Sequence, residues 1–262
     1  MGTTVKKAVI IILPVVFAIA ASVAVALLIS GGMKQVPSDP LPEESERPTS
    51  SESDAQVNAP AESESESGES KGLEYTDAED GGAAVFGLGS CEDKIIRIPA
   101  VSPSGKPVTE IADGAFKNES GIEGVILPES VMRIGKSAFR KSGIKSIELG
   151  STVLYIGEYA FSECLSLTEI KVSGANPVYC SNAGVLYDRG MTQLIAYPSG
   201  KSDAKYTIPR SIVSIGAMAI SSVPALKSLE YAGTEKEWKK VNVASGNSIF
   251  DTVTIKFTSA DK

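Results

Sequence analysis

A nine-residue phrase recurs along this chain and constrains its fold more than any other feature. Residues 131–139 read Val-Met-Arg-Ile-Gly-Lys-Ser-Ala-Phe, and residues 153–161 read Val-Leu-Tyr-Ile-Gly-Glu-Tyr-Ala-Phe. Looser copies occupy residues 108–116 and 212–220. The first three copies begin 23 and 22 residues apart. A period of this size is the sequence signature of a solenoid, in which each repeat stacks on its neighbours.

A second signal lies upstream of each phrase and predicts a strand. Residues 95–99, 124–128, 146–150 and 205–209 alternate apolar with smaller or polar residues and end in proline or glycine. This alternation is typical of short, half-buried strands, and a proline stops a strand because it has no N–H to donate. Each repeat of 22–23 residues is therefore predicted to supply one strand, a turn and a returning arm.

The apolar positions of the phrase predict ladders of side chains inside a stacked core. The first ladder is Val108, Val131, Val153 and Ile212, and the second is Phe116, Phe139, Phe161 and Ile220. The glycines at 135, 157 and 216 share one place in the unit, where a tight turn or a close approach of two backbones is expected.

The repeat pattern is interrupted once and then ends. After residue 172 the phrase is missing, and two apolar runs at 184–188 and 193–197, separated by Arg-Gly, predict a β-hairpin insertion. Further on, Thr234 and Glu237 form the pattern of a capping box, which predicts a short helix through Val241. We expect Trp238 on that helix to cover the last coil, because terminal repeats need a cap.

The N-terminal part of the chain is a different kind of sequence. Residues 8–30 are uncharged and long enough to cross ~30 Å of hydrocarbon, which predicts a transmembrane helix. The lysines within residues 1–7 place that end in the cytoplasm and the rest outside the cell. A cleaved signal peptide is the alternative, although the run exceeds the usual ~7–15-residue apolar core. Residues 31–71 are rich in Ser, Glu and Pro and predict a disordered linker, followed by the repeat domain at 72–258.

Composition excludes several classes of function. The formal charge of −7 disfavours a nucleic-acid partner, since phosphate binding needs a basic face. The chain has no histidine and only three widely spaced cysteines, which removes His-based nucleophilic machinery and the usual zinc sites. A carboxylate hydrolase would need paired acids in a pocket, and no insertion supplies them. We therefore predict neither an enzyme nor a bound cofactor or metal.

The outward positions of the predicted strands are the candidate binding face, since solenoids commonly bind ligands on an extended surface. One column is Arg97, Ile126, Glu148, Lys171 and Glu230, and the other is Ile95, Gly124, Ser146, Glu169 and Ser228. The charges in these columns are of mixed sign, which also fits a face that is exposed to solvent and binds no ligand. Four tyrosines are open to two interpretations, as interface residues or as half-buried packing residues: Tyr155, Tyr159, Tyr187 and Tyr197. Tyr155 is the one that we add to the candidate site. Cys164 is predicted to be a buried, inert thiol, and Cys180 the most exposed of the three.

The repeat resembles the BspA-type leucine-rich repeat family, whose unit has a Leu-x-x-Leu-x-Leu-Pro strand and an Ile-Gly-x-x-Ala-Phe arm. The resemblance covers roughly residues 72–257 and includes the hairpin and residues 231–238. Many members carry a cysteine three residues after the Phe, and here only Cys164 does.

The resemblance implies a bacterial surface protein. It leads to the expectation of a single-pass, membrane-anchored extracellular module that binds a protein or matrix ligand, as an adhesin does. The alternative is a non-catalytic structural or accessory subunit of a cell-envelope complex. The resemblance supplies no site residues and does not identify the ligand.

Overall fold

Each complete repeat forms one coil that adds a short strand to each of two sheets. The computed structural model describes residues 68–260. The elements in chain order are β1 (Glu74–Asp77), β2 (Ala83–Gly87), β3 (Ile95–Arg97), β4 (Val108–Ile111), β5 (Gly124–Ile126), β6 (Arg133–Ile134), β7 (Ser146–Leu149), β8 (Tyr155–Ile156), β9 (Glu169–Val172), β10 (Tyr179–Asn182), β11 (Val185–Asp188), β12 (Gln193–Ala196), β13 (Lys205–Ile208), β14 (Ser214–Ile215), β15 (Ser228–Tyr231), α1 (Glu235–Trp238), β16 (Asn242–Val243), α2 (Ile249–Thr252) and β17 (Ile255–Phe257).

Within residues 68–260 the strands form four sheets, with the orders β1-β2-β4-β6-β8, β3-β5-β7-β9, β10-β11-β12-β14-β16 and β13-β15-β17. Neighbouring strands from successive coils pair in parallel, as a solenoid requires. The repeat phrase therefore contains a second strand, β4, β6, β8 or β14, at the Ile before its glycine. The sequence predicted one strand per repeat and missed this one, because in three of the four copies it has only two residues, too few to show an alternation.

The predicted ladders form the core of the first coils. The Val column and the Phe column are both buried, with Phe116 and Phe139 fully inaccessible. The rings of Phe116 and Phe139 stack with centroids 5.4 Å apart and planes 12° apart. Aromatic pairs add about 0.5–1.5 kcal/mol to the burial of their area. The ladder prediction is confirmed.

The residues that follow each phrase Ile form an arm of consecutive turns, and we name these arms 1 (112–118), 2 (135–141), 3 (157–163) and 4 (216–222). Arm 1 donates the N–H groups of Gly114, Phe116 and Asn118 to carbonyls of arm 2 at 2.7–2.9 Å. Arm 2 donates in the same way to arm 3, at 2.9–3.1 Å. The arms are therefore held together by a backbone ladder of their own.

The glycine of the phrase is needed because successive arms touch at that point. A Cβ on Gly157 would lie 2.5 Å from the backbone N of Lys136, and a Cβ on Gly135 would lie 2.5 Å from that of Asp113. Real Cβ atoms do not approach backbone so closely, so the predicted close approach is confirmed at both positions. At Gly216 the nearest atom would be 3.4 Å away, an ordinary contact, because a complete arm does not precede it.

The insertion is a three-stranded antiparallel meander rather than a single hairpin. The predicted pair, β11 and β12, is present, and β10 pairs with the other edge of β11. Val185, Leu186 and Tyr187 in β11 are all buried. Leu186 packs into the core of the first coils, whereas Val185 and Tyr187 pack into a second core around Ile215. A strand between two cores has no polar face, which explains its unbroken apolar sequence.

Two side chains of the insertion satisfy the backbone that the interruption leaves unpaired. The amide of Asn176 donates to the carbonyls of Gly150 and Val153 at 2.7 and 2.9 Å. Its oxygen accepts from the backbone N–H of Val178 and Tyr179. The Tyr179 hydroxyl accepts the N–H of Ile156 in β8 at 3.0 Å. The Asn176 side chain is buried and makes four hydrogen bonds to backbone groups. These bonds take the place of the backbone hydrogen bonds that a complete coil would have made.

The C-terminal helix differs from its prediction in length and position. The capping box is confirmed, since the Thr234 side chain accepts from the N–H of Glu237 and the Glu237 side chain accepts from the N–H of Thr234. The helix ends at Trp238, however, rather than Val241. It is also not the last element, because β16 and β17 extend two sheets beyond it. The prediction of a terminal capping helix is therefore wrong.

The N-terminal predictions fall outside the described residues. The predicted transmembrane helix at 8–30 lies there, as do residues 31–67 of the linker. Within 68–260, no helix combines the length and hydropathy required to span a bilayer. The fold includes Ser70, whose hydroxyl donates to Asp93 at 2.6 Å and whose N–H bonds the Arg97 carbonyl.

Candidate functional site

The predicted binding face is divided between two sheets. In the β3-β5-β7-β9 sheet, Ile95, Gly124, Ser146 and Glu169 stand opposite one another in register, as the repeat alignment predicts. In the same sheet Arg97 is paired with Ile126, and Glu148 with Lys171. Ser228 and Glu230 instead belong to the β13-β15-β17 sheet, where Glu230 lies between Thr207 and Lys256. The ten positions therefore do not lie on one continuous sheet.

The charges on these sheets largely neutralise one another. Lys171 approaches the Glu169 carboxylate at 3.6 Å, and Lys205 approaches that of Glu230 at 2.8 Å. The hydrogen bond from Lys205 lowers the pKa of the Glu230 carboxyl. Exposed pairs of this kind contribute little to stability, because water and salt screen their attraction. The face offers no concentration of one sign that would attract a charged ligand.

Tyr155 lies on the other sheet of the coils, in β8. The guanidinium of Arg133 stands over its ring, 4.1 Å from the centroid, and also bonds the Glu110 carboxylate at 2.9 Å. These three residues occupy equivalent outward positions of β4, β6 and β8. Tyr155 nevertheless remains 47% exposed, so one side of it is available to a partner.

Tyr155 forms an exposed strip together with two apolar side chains, Met132 and Leu154, that sequence reasoning missed. Met132 and Leu154 hold the position just after the buried Val of the phrase and are 39% and 48% exposed. They are adjacent, since the Leu154 N–H donates to the Met132 carbonyl at 2.8 Å. Val213, at the same phrase position in a later coil, is 60% exposed. The signal was present in the repeat alignment, as an apolar residue at a position that the alignment places outside the core.

Of the other three tyrosines, Tyr159 is half-exposed with the Lys136 ammonium over its ring, and the remaining two pack inside the protein. Tyr187 and Tyr197 are buried, and the hydroxyl of Tyr187 hydrogen-bonds that of Tyr206 at 2.6 Å. Burial raises the pKa of Tyr197 to about 12. The Tyr197 hydroxyl is buried without a hydrogen-bond partner in the described part of the chain. The packing interpretation is confirmed for Tyr187 and Tyr197.

The surroundings of Cys164 and Cys180 disfavour the thiolate form of each side chain. Cys164 is buried as predicted, its thiol donates to the Phe139 carbonyl at 2.8 Å, and burial raises its pKa. Cys180 is half-buried rather than exposed, and burial raises its pKa as well. A raised pKa reduces the thiolate fraction on which nucleophilic and metal-binding chemistry depends. Residues 68–260 contain no cluster of side chains suited to a metal ion.

The chain is similar to several solved leucine-rich repeat proteins at low sequence identity. One is a leucine rich cell surface protein from Faecalibacterium prausnitzii, with 18% identity over 72% of this chain and 75% of that one and a TM-score of 0.43. A protein from Eubacterium ventriosum has 16% identity, coverage of 71% and 70%, and a TM-score of 0.42. The leucine rich repeat protein of T. pallidum has 22% identity, coverage of 71% and 83%, and a TM-score of 0.44.

No curated protein matches the chain in sequence. The model of the BspA type leucine rich repeat region matches residues 100–186 in six copies. This segment contains three of the four phrases and the first part of the insertion. Residues 100–186 therefore match the repeat that the BspA-type leucine-rich repeat family model describes.

Proposed function

We propose that this protein is an extracellular binding module, held at a bacterial cell membrane by residues 8–30 and displayed on the linker at 31–71. Its ligand is a protein of the matrix or of another cell surface. The proposal assigns the contact to the exposed strip formed by Met132, Leu154 and Tyr155, rather than to the mixed-charge columns of the other sheet.

The exposure of the strip is the observation that carries the proposal. Isolated exposed apolar residues are normal on a soluble protein, but adjacent ones mark interaction surfaces. Tyr, Met and Arg are enriched in the centres of protein interfaces. Here Tyr155 packs against the Arg133 guanidinium, whose charge is offset by Glu110. Tyr155 lies in β8 and its ring packs against the Arg133 guanidinium, which lowers the entropy cost of ordering this side chain on binding.

The test asks which part of the chain is sufficient for binding. A soluble fragment of residues 68–262 is applied to a panel of purified matrix and cell-surface proteins, beside the full chain and a full chain in which residues 8–30 are replaced by an unrelated membrane helix. We expect the fragment to bind one member of the panel. We also expect the helix replacement to leave that binding unchanged.

A different result would favour the accessory-subunit alternative. In that case the fragment binds nothing, and replacement of residues 8–30 abolishes the association of the full chain with its envelope partner. Protease added to intact cells tests the anchoring separately. Removal of the folded domain, with a short membrane-bound remnant, is the expected result, and protection of the whole chain would contradict the proposed topology.

A further inference from the structure

The sheets that contain the repeat phrases end in a strand with one unpaired side at each end of the coils. At the N-terminal end this strand is β1, which pairs only with β2 within residues 68–260. At the C-terminal end it is β16, which pairs only with β14 in the same part of the chain. An unpaired edge offers backbone N–H and C=O groups to another strand, so each end is a docking surface for a strand.

The backbone of β16 presents Val243 to its free side. The N–H groups of Asn242 and Ala244 both donate to carbonyls of the preceding coil at 3.0 Å. Successive residues of a strand direct their backbone groups to alternate sides. Val243, which lies between these two residues, therefore directs its N–H and C=O away from β14, and its side chain is 37% exposed.

The backbone of β1 presents two residues in the same way. The Ala78 N–H donates to the Gly82 carbonyl at 3.0 Å, within the turn that joins β1 to β2. Alternation then directs the backbone of Thr76 toward β2 as well. Tyr75 and Asp77 therefore direct their N–H and C=O groups to the free side of β1.

The two ends carry opposite charges beside these edges. Residues 68–93, which include β1, contain seven acidic residues and one lysine. Two lysines, Lys239 and Lys240, come directly before β16 in the chain, separated from it by one residue. Glu79 and Lys240 are exposed, and neither forms an ion pair within residues 68–260. Each end therefore has an exposed charge that the other end could neutralise.

The strand directions bring these two charges together when coils stack end to end. β1 is antiparallel to β2 and so to the phrase strands β4, β6 and β8, whereas β16 is parallel to the phrase strand β14. A second copy stacked in the same direction would therefore place its β1 antiparallel to β16. In an antiparallel pair, the residues before one strand adjoin those after the other. Lys240, before β16, would then adjoin Glu79 and Asp80, after β1.

We propose that the β16 edge of one copy pairs with the β1 edge of a second copy, so that chains associate end to end in rows. Two β1 edges would bring acidic residues together, and two β16 edges would bring lysines together, so only unlike ends attract. One chain cannot make this contact with itself, because its coils separate the two edges. A contact between unlike surfaces leaves one end of each pair free and therefore extends into a row.

The ends of the other sheets differ in charge in the same direction. At the C-terminal end Lys256, in β17, is exposed. At the N-terminal end the edge of β3 is covered by Ser70, whose neighbours are Glu69 in the chain and Asp93 through a hydrogen bond of 2.6 Å. The attraction between unlike ends therefore does not depend on Glu79 and Lys240 alone. Met132, Leu154 and Tyr155 lie on intermediate coils, so the contact is independent of the function proposed for that strip.

The test measures self-association of the full chain in detergent micelles by sedimentation velocity, at about 0.05 M and 0.5 M salt. We expect larger species to form as protein concentration rises and to decrease at the higher salt. Glu79→Lys and Lys240→Glu should each weaken association about fivefold or more, because each replaces an attraction with a repulsion. The double variant exchanges the two charges and should regain most of the original affinity. Association through residues 8–30 would not respond to these substitutions.

Val243→Pro tests the backbone part of the contact. Proline removes the outward N–H of the β16 edge and leaves the bonds of Asn242 and Ala244 to the preceding coil in place. It should abolish association, whereas Val243→Thr, which keeps the N–H and the branched side chain, should associate like the original chain. Unchanged hydrogen exchange of buried amides in β14 would show that the proline variant is folded.

Three outcomes would overturn the proposal. In the first, the full chain stays monomeric at low salt up to millimolar concentration, and a Val243 amide already protected from exchange would then assign the edge to another segment of the same chain. In the second, each charge variant weakens association but the double variant does not restore it, so the two ends do not meet. In the third, both single charge variants associate like the original chain, which would place the contact elsewhere.

Discussion

The ring of Phe139 lies parallel to that of Phe161, with centroids 5.6 Å apart and planes 3° apart. Both side chains are buried, and their backbones are joined by the hydrogen bond from the Phe139 N–H to the Ala160 carbonyl. The stack of side chains and the ladder of backbone hydrogen bonds therefore share one register. This shared register explains why the glycine, alanine and phenylalanine of the phrase vary so little between copies.

Phe139→Ala should lower the free energy of unfolding by about 3–5 kcal/mol, the usual loss for a buried Phe. The substitution opens a cavity between two other rings, and neither Phe116 nor Phe161 can move into it without leaving its own coil. Denaturant titration of the fragment 68–262 measures the effect. The matched control is Lys117→Ala, at an exposed position of arm 1. It should change the free energy of unfolding by no more than about 0.5 kcal/mol in either direction. Equal losses for the two variants would mean that the ladder does not carry the stability of the coils.

Asn176→Ala should lower the free energy of unfolding by at least about 3 kcal/mol. The change leaves two carbonyls and two N–H groups without partners, and an unsatisfied buried group costs about 1–3 kcal/mol. Asn182→Ala, at an exposed asparagine of the same meander, is the control and should be nearly neutral. A small effect of Asn176→Ala in the same titration would show that water replaces the amide, and that this side chain does not close the interrupted coil.

The repeats were predictable because their signal is summed over four copies, each giving the same apolar residue at the same place. The insertion was harder. The apolar run at 185–187 predicted β11, but β10 contains Tyr179, Cys180, Ser181 and Asn182, which show no apolar alternation. Its place is fixed by pairing with β11 and by the hydroxyl of Tyr179 on β8, and neither contact leaves a local pattern.

The candidate site was less predictable than the core for a physical reason. Burial imposes the same residue type on every copy, whereas an outward position is free to vary between coils. Alignment therefore placed Arg97 and Ile126 correctly in one sheet but could not show that Glu230 belongs to another. The strip around Leu154 was missed because the candidate face was sought on the outward positions of the predicted strands, although the alignment already placed Met132 and Leu154 outside the core.

Tyr197→Phe should raise the free energy of unfolding by about 1 kcal/mol, because it removes a buried hydroxyl that has no partner. Tyr187→Phe is the contrasting variant. It breaks the hydroxyl pair with Tyr206 and should lower stability by about 1 kcal/mol. Thermal unfolding of both variants distinguishes these two expectations. A loss of stability in Tyr197→Phe would indicate that an ordered water satisfies that hydroxyl.

The same tyrosines should make the protein sensitive to alkali. Burial raises the pKa of Tyr197 to about 12 and also raises the pKa of Tyr187 and of Tyr206. Above the unfolded value of about 10, the unfolded chain loses these protons first, so stability falls with rising pH by about 1.4 kcal/mol per unit for each tyrosine. Unfolding midpoints measured between about pH 8 and 12 should show this fall, with a shallower slope in Tyr197→Phe. Identical slopes of stability against pH in the original protein and in Tyr197→Phe would contradict this expectation.

The most direct test of the proposed function is the affinity of the fragment 68–262 for the matrix or cell-surface protein that it binds, compared with two variants. Leu154→Ser alters the apolar strip, and Ile126→Ser alters the other sheet at a side chain of nearly equal exposure, 51% against 48%. Leu154→Ser should weaken binding at least about tenfold, or about 1.4 kcal/mol, and Ile126→Ser should leave it unchanged. The reverse pattern, with Ile126→Ser weakening binding and Leu154→Ser neutral, would place the ligand on the β3-β5-β7-β9 sheet and contradict the strip as the contact surface.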